Sequence, residues 1–343
     1  MPVCVGHSAH DLKPFGRNAV RMQVPSAAPA YNPGKKASPD MSATSIQSPK
    51  SLWLLVILLL TGLGWGLTIS LATMATASGI DPLTVALWSA FAGALLLSAV
   101  LLARGKRPSM DGAHLRFYLV TGFLGTAFPH ALSFYAAIHL PAGVRAIVFA
   151  LIPMITLVLS IMLSMEKASV RRFTGILLGL SAMLVMFLPG VQVPLPGQIF
   201  WTLVTLAVAI SYAVENVYIS LKRPPQLDAA TALWGMTVAG TLMLLVTLWL
   251  ADAPYLLPFD ASMAELAIVL MAVAHLSAYS GLLYMLSHGG VVFASQVSYI
   301  VTPAAVMWGV VLLSEKISLS IVLALILIMA GLALIKPKRK GEA

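Results

Sequence analysis

The sequence predicts an all-α integral membrane protein with ten transmembrane helices, arranged as two inverted five-helix repeats. Three observations lead to this fold class. Of the 343 residues, 59% are hydrophobic and only 10% are charged, whereas soluble domains carry about 25% charged residues. Long apolar segments follow one another from Leu52 onward. An apolar run that ends in Glu-Lys occurs twice, at Glu166 and at Glu315.

Residues 1–50 differ from the rest and predict a disordered cytosolic tail. They are rich in Pro, Ser and Ala and show no periodic apolar face, a composition that favours disorder. They also lack the apolar core of a secretory signal. Met41 is an alternative start of translation, and the sequence does not choose between that start and a longer tail.

From Leu52 the chain alternates between apolar runs and short polar breaks. A helix needs about 20 residues to cross a bilayer core of about 30 Å, and each run approaches or exceeds that length. The strands of a membrane barrel would be about ten residues long and alternate in polarity, unlike these runs. The ten predicted spans are residues 52–76, 82–103, 113–138, 142–164, 171–189, 197–220, 229–250, 262–286, 290–313 and 317–335.

The distribution of Lys and Arg predicts the orientation. With residues 1–40 set aside, one set of loops carries 14 basic residues and the opposite set only Arg145 and Lys316. Because short cytoplasmic loops are enriched in Lys and Arg, we expect a multi-pass protein of the cytoplasmic (inner) membrane with both termini in the cytosol. The 14 residues are Lys50, Arg104, Lys106, Arg107, Arg116, Lys167, Arg171, Arg172, Lys222, Arg223, Lys336, Lys338, Arg339 and Lys340.

The repeated Glu-Lys pair predicts the internal symmetry. Glu166 follows the fourth span and Glu315 the ninth, so five spans separate two copies that face opposite sides of the membrane. We therefore predict inverted repeats at residues 52–189 and 197–336, an architecture of alternating-access transporters whose site lies near the midplane. The same offset of 149 residues links Tyr135 with Tyr284 and His139 with His288.

Three stretches resemble EamA-type members of the drug/metabolite transporter superfamily, over about residues 52–336. The opening of these proteins is similar to "WGLTISLATMATASGIDPLTVALW". The end of their first repeat resembles "AAIHLPAGVRAIVFALIPMITLVLSIMLSMEKASVRRFTGILLGLSAMLVM", and the end of their second resembles "GGVVFASQVSYIVTPAAVMWGVVLLSEKISLSIVLALILIMAGLAL". The resemblance implies export of amino acids, metabolites or drugs. The chain departs from it at Trp88-Ser89, where many relatives carry an Arg, and at Arg145, where the residue is usually small and apolar.

Polar side chains inside the spans are the candidate substrate-binding residues, because polar groups in lipid are costly and mark functional sites. Glu215, in the sixth span, would face a cavity or pair with a base; the alternative is contact with Lys222 or water near the cytosolic end. His130 and His275 lie mid-span in corresponding helices. They would either relay protons or hydrogen-bond to neighbouring helices.

Arg145 and the ninth span supply the remaining candidates. The guanidinium of Arg145 would clamp a substrate carboxylate or extend to the outer headgroups. Ser295, Ser298 and Thr302 share one helix face, and Tyr299 lies on an adjacent face. This polar surface would line the substrate path or serve helix packing alone. The resemblance favours the path, since the fourth and ninth helices of EamA-type relatives help line the central cavity.

Two prolines and two glutamates have predicted structural roles. Pro153 and Pro303 lie 150 residues apart, and each removes a helical hydrogen bond and is expected to kink its helix. Glu166 and Glu315 are interpreted as anchors of helix ends, together with the lysines that follow them, and not as ligands of the substrate.

The predicted function is that of a secondary transporter, exporting small metabolites, amino acids or drug-like compounds by alternating access without a cofactor. The alternatives are a scaffold or receptor without transport, and an intramembrane enzyme, for which the spans lack HExxH, paired Asp and Cys. The single Cys4 argues against a Cys-based metal site, and basic residues confined between apolar runs argue against nucleic acid. The expected partners are a small-molecule substrate and membrane lipid, while a coupling proton or ion and a homodimer are left open.

Overall fold

The computed structural model describes residues 49–166, 168–185, 196–254, 257, 262–288 and 297–335. Within these ranges the regular structure is entirely helical, and no strand occurs, which confirms the predicted all-α class. The predicted tail, apart from its last two residues, and the candidate Ser295 lie outside the described residues.

Twelve α-helices and one π-helical turn make up the described part of the chain. The π-helical turn, Phe123–Ala127, joins α3 to α4. The helices are α1 Pro49–Ala77, α2 Pro82–Ala103, α3 Gly112–Gly122, α4 Phe128–His139, α5 Ala142–Phe149, α6 Ile152–Met162, α7 Val170–Val185, α8 Pro196–Lys222, α9 Ala229–Leu250, α10 Met263–His288, α11 Ser298–Leu313 and α12 Leu319–Ile335.

Aspartates begin three of these helices. The carboxylate of Asp81 accepts hydrogen bonds from the amides of Leu83 and Thr84, at 2.9 and 3.3 Å. Asp111 caps α3 and Asp228 caps α9 in the same way. Such a side chain satisfies amides that have no partner within the helix, and its charge is favourable beside the positive end of the helix dipole.

Prolines explain why two of the predicted spans are not single regular helices. Pro129 has no N–H to donate to the carbonyl of Gly125, and the π-helical turn lies directly before it. In the next span, α5 ends at Phe149 and α6 begins one residue before Pro153. Pro303, by contrast, lies inside the uninterrupted helix α11, so its predicted kink stays a prediction.

The long helices identify a multi-pass membrane protein. Many large apolar side chains remain on the outside of the bundle, among them Leu60 and Trp249, which are 62% and 76% exposed. An apolar surface of this extent suits lipid and not water. Helices α11 and α12 are shorter apolar segments. Among the described residues, six segments are long and apolar enough to span a bilayer: Leu52–Ala77, Pro82–Ala103, Ala142–Met162, Gly197–Lys222, Ala229–Leu250 and Met263–Leu282.

Helix packing follows the same pattern in the two halves of the chain. Helix α1, the first of the N-terminal half, packs against α10 and α11, while α8, the first after residue 195, packs against α4 and α6. Helix α3 packs against α9, and α10 packs against α2. Two further pairs, α2 with α9 and α7 with α12, join corresponding helices. The first helix of each half therefore lies among helices of the other half.

Candidate functional site

The candidate site lies beside the π-helical turn that joins α3 to α4. The turn Phe123–Ala127 changes the hydrogen-bond register of the helix just before Pro129. The hydroxyl of Ser211, on α8, donates to the carbonyl of Leu124 within this turn, at 2.8 Å. Turns of this kind are frequent at functional sites because they redirect backbone groups. Here the hydrogen bond joins the turn to α8.

Glu215 lies one helical turn beyond Ser211 on the same face of α8. Its side chain is only 6% exposed, and its carboxylate packs directly against Gly125 of the π-helical turn. A Cβ atom at Gly125 would overlap both carboxylate oxygens. The absence of a side chain at Gly125 therefore leaves space for the carboxylate.

No cation neutralises Glu215 within the described ranges. No ion pair or hydrogen bond to its carboxylate occurs there, and Lys222 on the same helix does not reach it. A buried carboxylate without a partner is costly in lipid unless it is protonated, hydrated or bound to a ligand. Asn216, the next residue, is exposed, as expected from the rotation of about 100° between neighbouring residues on a helix.

The two predicted histidines approach each other from α4 and α10, near enough to interact electrostatically. The Nδ1 atom of His130 is buried and has no hydrogen-bond partner in the described part of the chain, and the same is true of the hydroxyl of Ser133 one turn further on. His275 is exposed, although it lies on the same face of α10 as the buried Met271 and Ala278.

Aromatic side chains lie near His275 and near Glu215. The ring of Trp65, on α1, lies 6.5 Å from that of His275. Tyr212 on α8 and Tyr279 on α10 both lie within electrostatic range of Glu215. These neighbours thus come from helices on both sides of residue 190. A carboxylate with tyrosines nearby is suited to a cationic group, because carboxylates and aromatic rings both attract cations.

Arg145 occupies a different position and already has partners. It is 1% exposed and is among the largest fully buried side chains. Its Nη2 atom donates to the carbonyl of Ile69 at 2.8 Å and to the hydroxyl of Thr73, both on α1. Glu315 is close enough to stabilise its charge. These contacts assign Arg145 to the joint between α5 and α1, apart from the surroundings of Glu215.

Glu315, which the sequence predicts to anchor a helix end, contacts the start of α5. Its carboxylate accepts hydrogen bonds from the amides of Ala142 and Gly143, at 2.5 and 3.1 Å, and so caps α5 from across the molecule. Gly309 makes this possible, because a Cβ there would lie 2.7 Å from the carboxylate. Its repeat mate Glu166 instead pairs with Arg172 at 2.8 Å and stays 46% exposed.

The described residues of the polar face on α11 differ in their burial and contacts. Thr302 is buried at 3% exposure and Ser298 is half-buried. The hydroxyl of Tyr299 donates to the carbonyl of Leu332 on α12, so this candidate joins two helices. Among the described residues there is no group of three or more His, Cys, Asp or Glu side chains that could hold a metal ion.

Sequence reasoning missed Gly125 and Ser211, which shape the surroundings of Glu215. The available signal was Pro129 in the middle of an apolar run, four residues after Gly125. A proline at that position predicts an irregular helix but does not reveal which side chain of another helix fills the irregularity.

Comparisons with known proteins agree with this architecture. One crystal structure of another protein matches 82% of this chain and 98% of its own, with a TM-score of 0.59 and 20% sequence identity; this likeness concerns the fold alone. No curated protein matches the chain significantly. The profile of the EamA-like transporter family matches twice, at residues 52–188 and 199–336. Because the two matches together cover most of the chain, the protein belongs to the EamA-like transporter family.

Proposed function

We propose that this protein is a secondary transporter that exports small metabolites, amino acids or drug-like compounds by alternating access. In this proposal ten helices cross the cytoplasmic membrane as two inverted five-helix repeats, and both termini lie in the cytosol. Family membership and the two matched segments support it. Each of α1 and α8 packs against helices of the opposite half. This packing supports the proposal further, because inverted repeats place a shared site between the halves.

The observation that carries the proposal is the unpaired carboxylate of Glu215. It lies between α8 and the π-helical turn, with tyrosines of α8 and α10 nearby. Such a group is stable in two states: protonated, or ionised beside a cation. Exchange between these states at one site couples a proton, or a cationic group of the substrate, to the conformational cycle. His130 and His275 then line the route by which the proton reaches or leaves the site.

The glutamates of the two Glu-Lys pairs are assigned to the ends of the protein that open and close during the cycle. Glu315 holds α5 to the segment after α11, whereas Glu166 pairs with Arg172 near its own helix end. Alternating access requires that one end close while the other opens. We assign the Glu315 contact to the closed outer end, since that end carries few basic residues.

The test is counterflow of labelled substrate in proteoliposomes, after a toxicity-rescue screen of amino acids and analogues has named a substrate. Glu215→Gln keeps the shape of the side chain and removes its charge, so transport should fall at least about tenfold, the effect of one charge-assisted contact. Asn216→Ala, on the neighbouring exposed position, is the matched control and should transport normally. Wild-type rates in Glu215→Gln at every pH and at equal protein level would remove Glu215 from the site. Failure of the wild-type protein to support counterflow would favour a scaffold or receptor.

A further inference from the structure

A lateral groove on the opposite side of the π-helical turn is separate from the surroundings of Glu215. It has a volume of about 610 Å³ and lies between the α3–α4 span and α9. Its walls are almost wholly apolar, and its rim carries exposed residues such as Leu119, Phe123 and Leu242. Gly235 and Ala239 of α9 also line it. An apolar groove with this exposure opens towards lipid tails.

The length of the groove suits an acyl chain. Its lining on α9 extends from Trp234 to Thr247, which corresponds to about 20 Å along a helix. The hydrocarbon core of a bilayer is about 30 Å thick, so the groove follows more than half of that thickness. It begins at Met110, next to the loop that carries Lys106 and Arg107.

A polar pocket of about 320 Å³ continues the groove at this end. It lies among the side chains of the loop before α3 and the loop before α9, and it contains charges of both signs: Lys106, Arg107, Asp111 and Asp228. Hydrogen bonds from the amide and the ring of His114 lower the pKa of Asp111 to about 2. Partial burial opposes ionisation of Asp228, yet hydrogen bonds from Thr231 and Lys106 still lower its pKa. Both groups are therefore carboxylates at neutral pH.

One polar atom at the junction of the groove and the pocket has no partner among the described residues. The hydroxyl of Tyr118 is buried and makes no hydrogen bond there, although the side chain lines the groove and is only 2% exposed. Its ring packs against Gly235 and Trp234, and Asp111 and Asp228 are near enough to affect it. A buried hydroxyl normally has a partner, and a ligand spanning the junction would provide one.

We propose that the groove and the pocket together bind one phospholipid whose headgroup carries both a phosphate and a primary amine. One acyl chain lies in the groove, and the Tyr118 hydroxyl meets the glycerol ester region. The phosphate binds at Lys106 and Arg107. The amine lies near Asp111 and Asp228, where a purely anionic headgroup would meet two carboxylates. The Lys106–Asp228 pair, at 3.1 Å and 42% exposed on each side, is of the exposed kind that contributes little, so it exchanges readily for the headgroup.

The experiment titrates the purified full chain in detergent with short-chain phosphatidylethanolamine, phosphatidylcholine and phosphatidylglycerol, and measures each Kd by the concentration dependence of Tm. Native mass spectrometry counts the bound lipid. Phosphatidylethanolamine should bind about tenfold more tightly than the other two, since only its amine donates charge-assisted hydrogen bonds to the aspartates. Asp228→Asn keeps a residue that caps helices well and should remove this preference.

Two tryptophan variants test the groove itself. Val238→Trp fills it and should abolish the specific adduct, whereas Leu245→Trp, on a lipid-facing position of α9 outside the groove, should leave it unchanged. Equal affinity of the three lipids for the wild-type protein would overturn the headgroup assignment. Retention of the adduct by Val238→Trp would overturn the groove assignment. Conversion of a dimer to a monomer by Val238→Trp, with lipid binding intact, would identify a second copy of the chain as the occupant and overturn the proposal.

Discussion

The carboxylate of Glu315 caps α5 by accepting a hydrogen bond from the amide of Gly143 at 3.1 Å, although 172 residues separate the two in the chain. The corresponding carboxylate of the first repeat, Glu166, instead pairs with Arg172 and is partly exposed. The two sequence-related ends of the protein are therefore held differently. The alternating-access cycle proposed above requires such an asymmetry, because one end closes while the other opens.

We predict that Glu315→Gln loosens the closed end. The amide can still accept a hydrogen bond, but it loses charge assistance, which changes an equilibrium by about tenfold. In a Cys4→Ser background, the variant Ser70→Cys reports the opening of this end. The Ser70 side chain on α1 is fully buried, so a cysteine there reacts only when the end opens. Labelling from outside the cell by a membrane-impermeant maleimide should become about tenfold faster.

The repeat mate provides the control for this measurement. Glu166→Gln removes a carboxylate from the same sequence pattern, yet it should not accelerate labelling from the outside. Unchanged labelling in Glu315→Gln, at a normal amount of inserted protein, would contradict the assignment of this contact to a closed end.

We predict that Gly125→Ala reduces transport about as strongly as loss of the carboxylate, by about tenfold. The added methyl group would overlap the oxygens of Glu215. Gly93→Ala on α2 is the matched control, since its Cβ would meet Thr237 at an ordinary 3.6 Å. Transport assays at equal membrane expression compare the two, and equal activity of both variants would show that the carboxylate can relocate without loss.

The positions of the spans could be predicted from the sequence because hydrophobic length is a local property. The segment predicted at 229–250 coincides with α9, and that at 82–103 coincides with α2. The burial of Glu215 did not follow from this reasoning, because its place within the sixth span allowed both a position facing a cavity and contact with Lys222 or water near the cytosolic end.

The partners of the candidate residues could not be predicted, because they depend on which helices meet. Arg145 binds carbonyl and hydroxyl groups of α1, more than 70 residues away in the chain. Tyr299 binds α12, and Glu315 binds α5. Periodicity places each of these residues on a helix face. The offset of 149 residues shows which helices of the two repeats correspond, but it does not predict which faces pack together.

We predict that a reporter active only outside the membrane is silent when it is fused after Ala343. The basic loops outnumber the opposite basic residues 14 to 2, and such loops remain in the cytosol. The same reporter fused into the loop after Leu250 should be active. Activity at both positions would require an even number of spans after Leu250 in place of the predicted three, and would contradict the arrangement of two five-helix repeats.

We predict that a chain starting at Met41 inserts and transports like the full-length one. Residues 1–40 carry too little apolar content to pack against the helices. Membrane fractionation and the counterflow assay measure the two properties separately. A truncated protein that fails to reach the membrane would show that the tail contributes to insertion.

The last prediction concerns Arg145, for which the sequence left a substrate clamp and an outer anchor open. Because the guanidinium is buried, bound to α1 and close to Glu315, we expect it to hold α5 in place. Arg145→Gln should therefore lower Tm and leave the carboxylate of Glu315 without its nearby cation. A double-mutant cycle with Glu315→Gln should show coupling of about 1–3 kcal/mol, since residues of one network are not additive. The double variant should then be less destabilised than the sum of the two single variants. An unchanged Tm in Arg145→Gln, together with a raised KM for a substrate that carries a carboxylate, would instead assign Arg145 to the substrate.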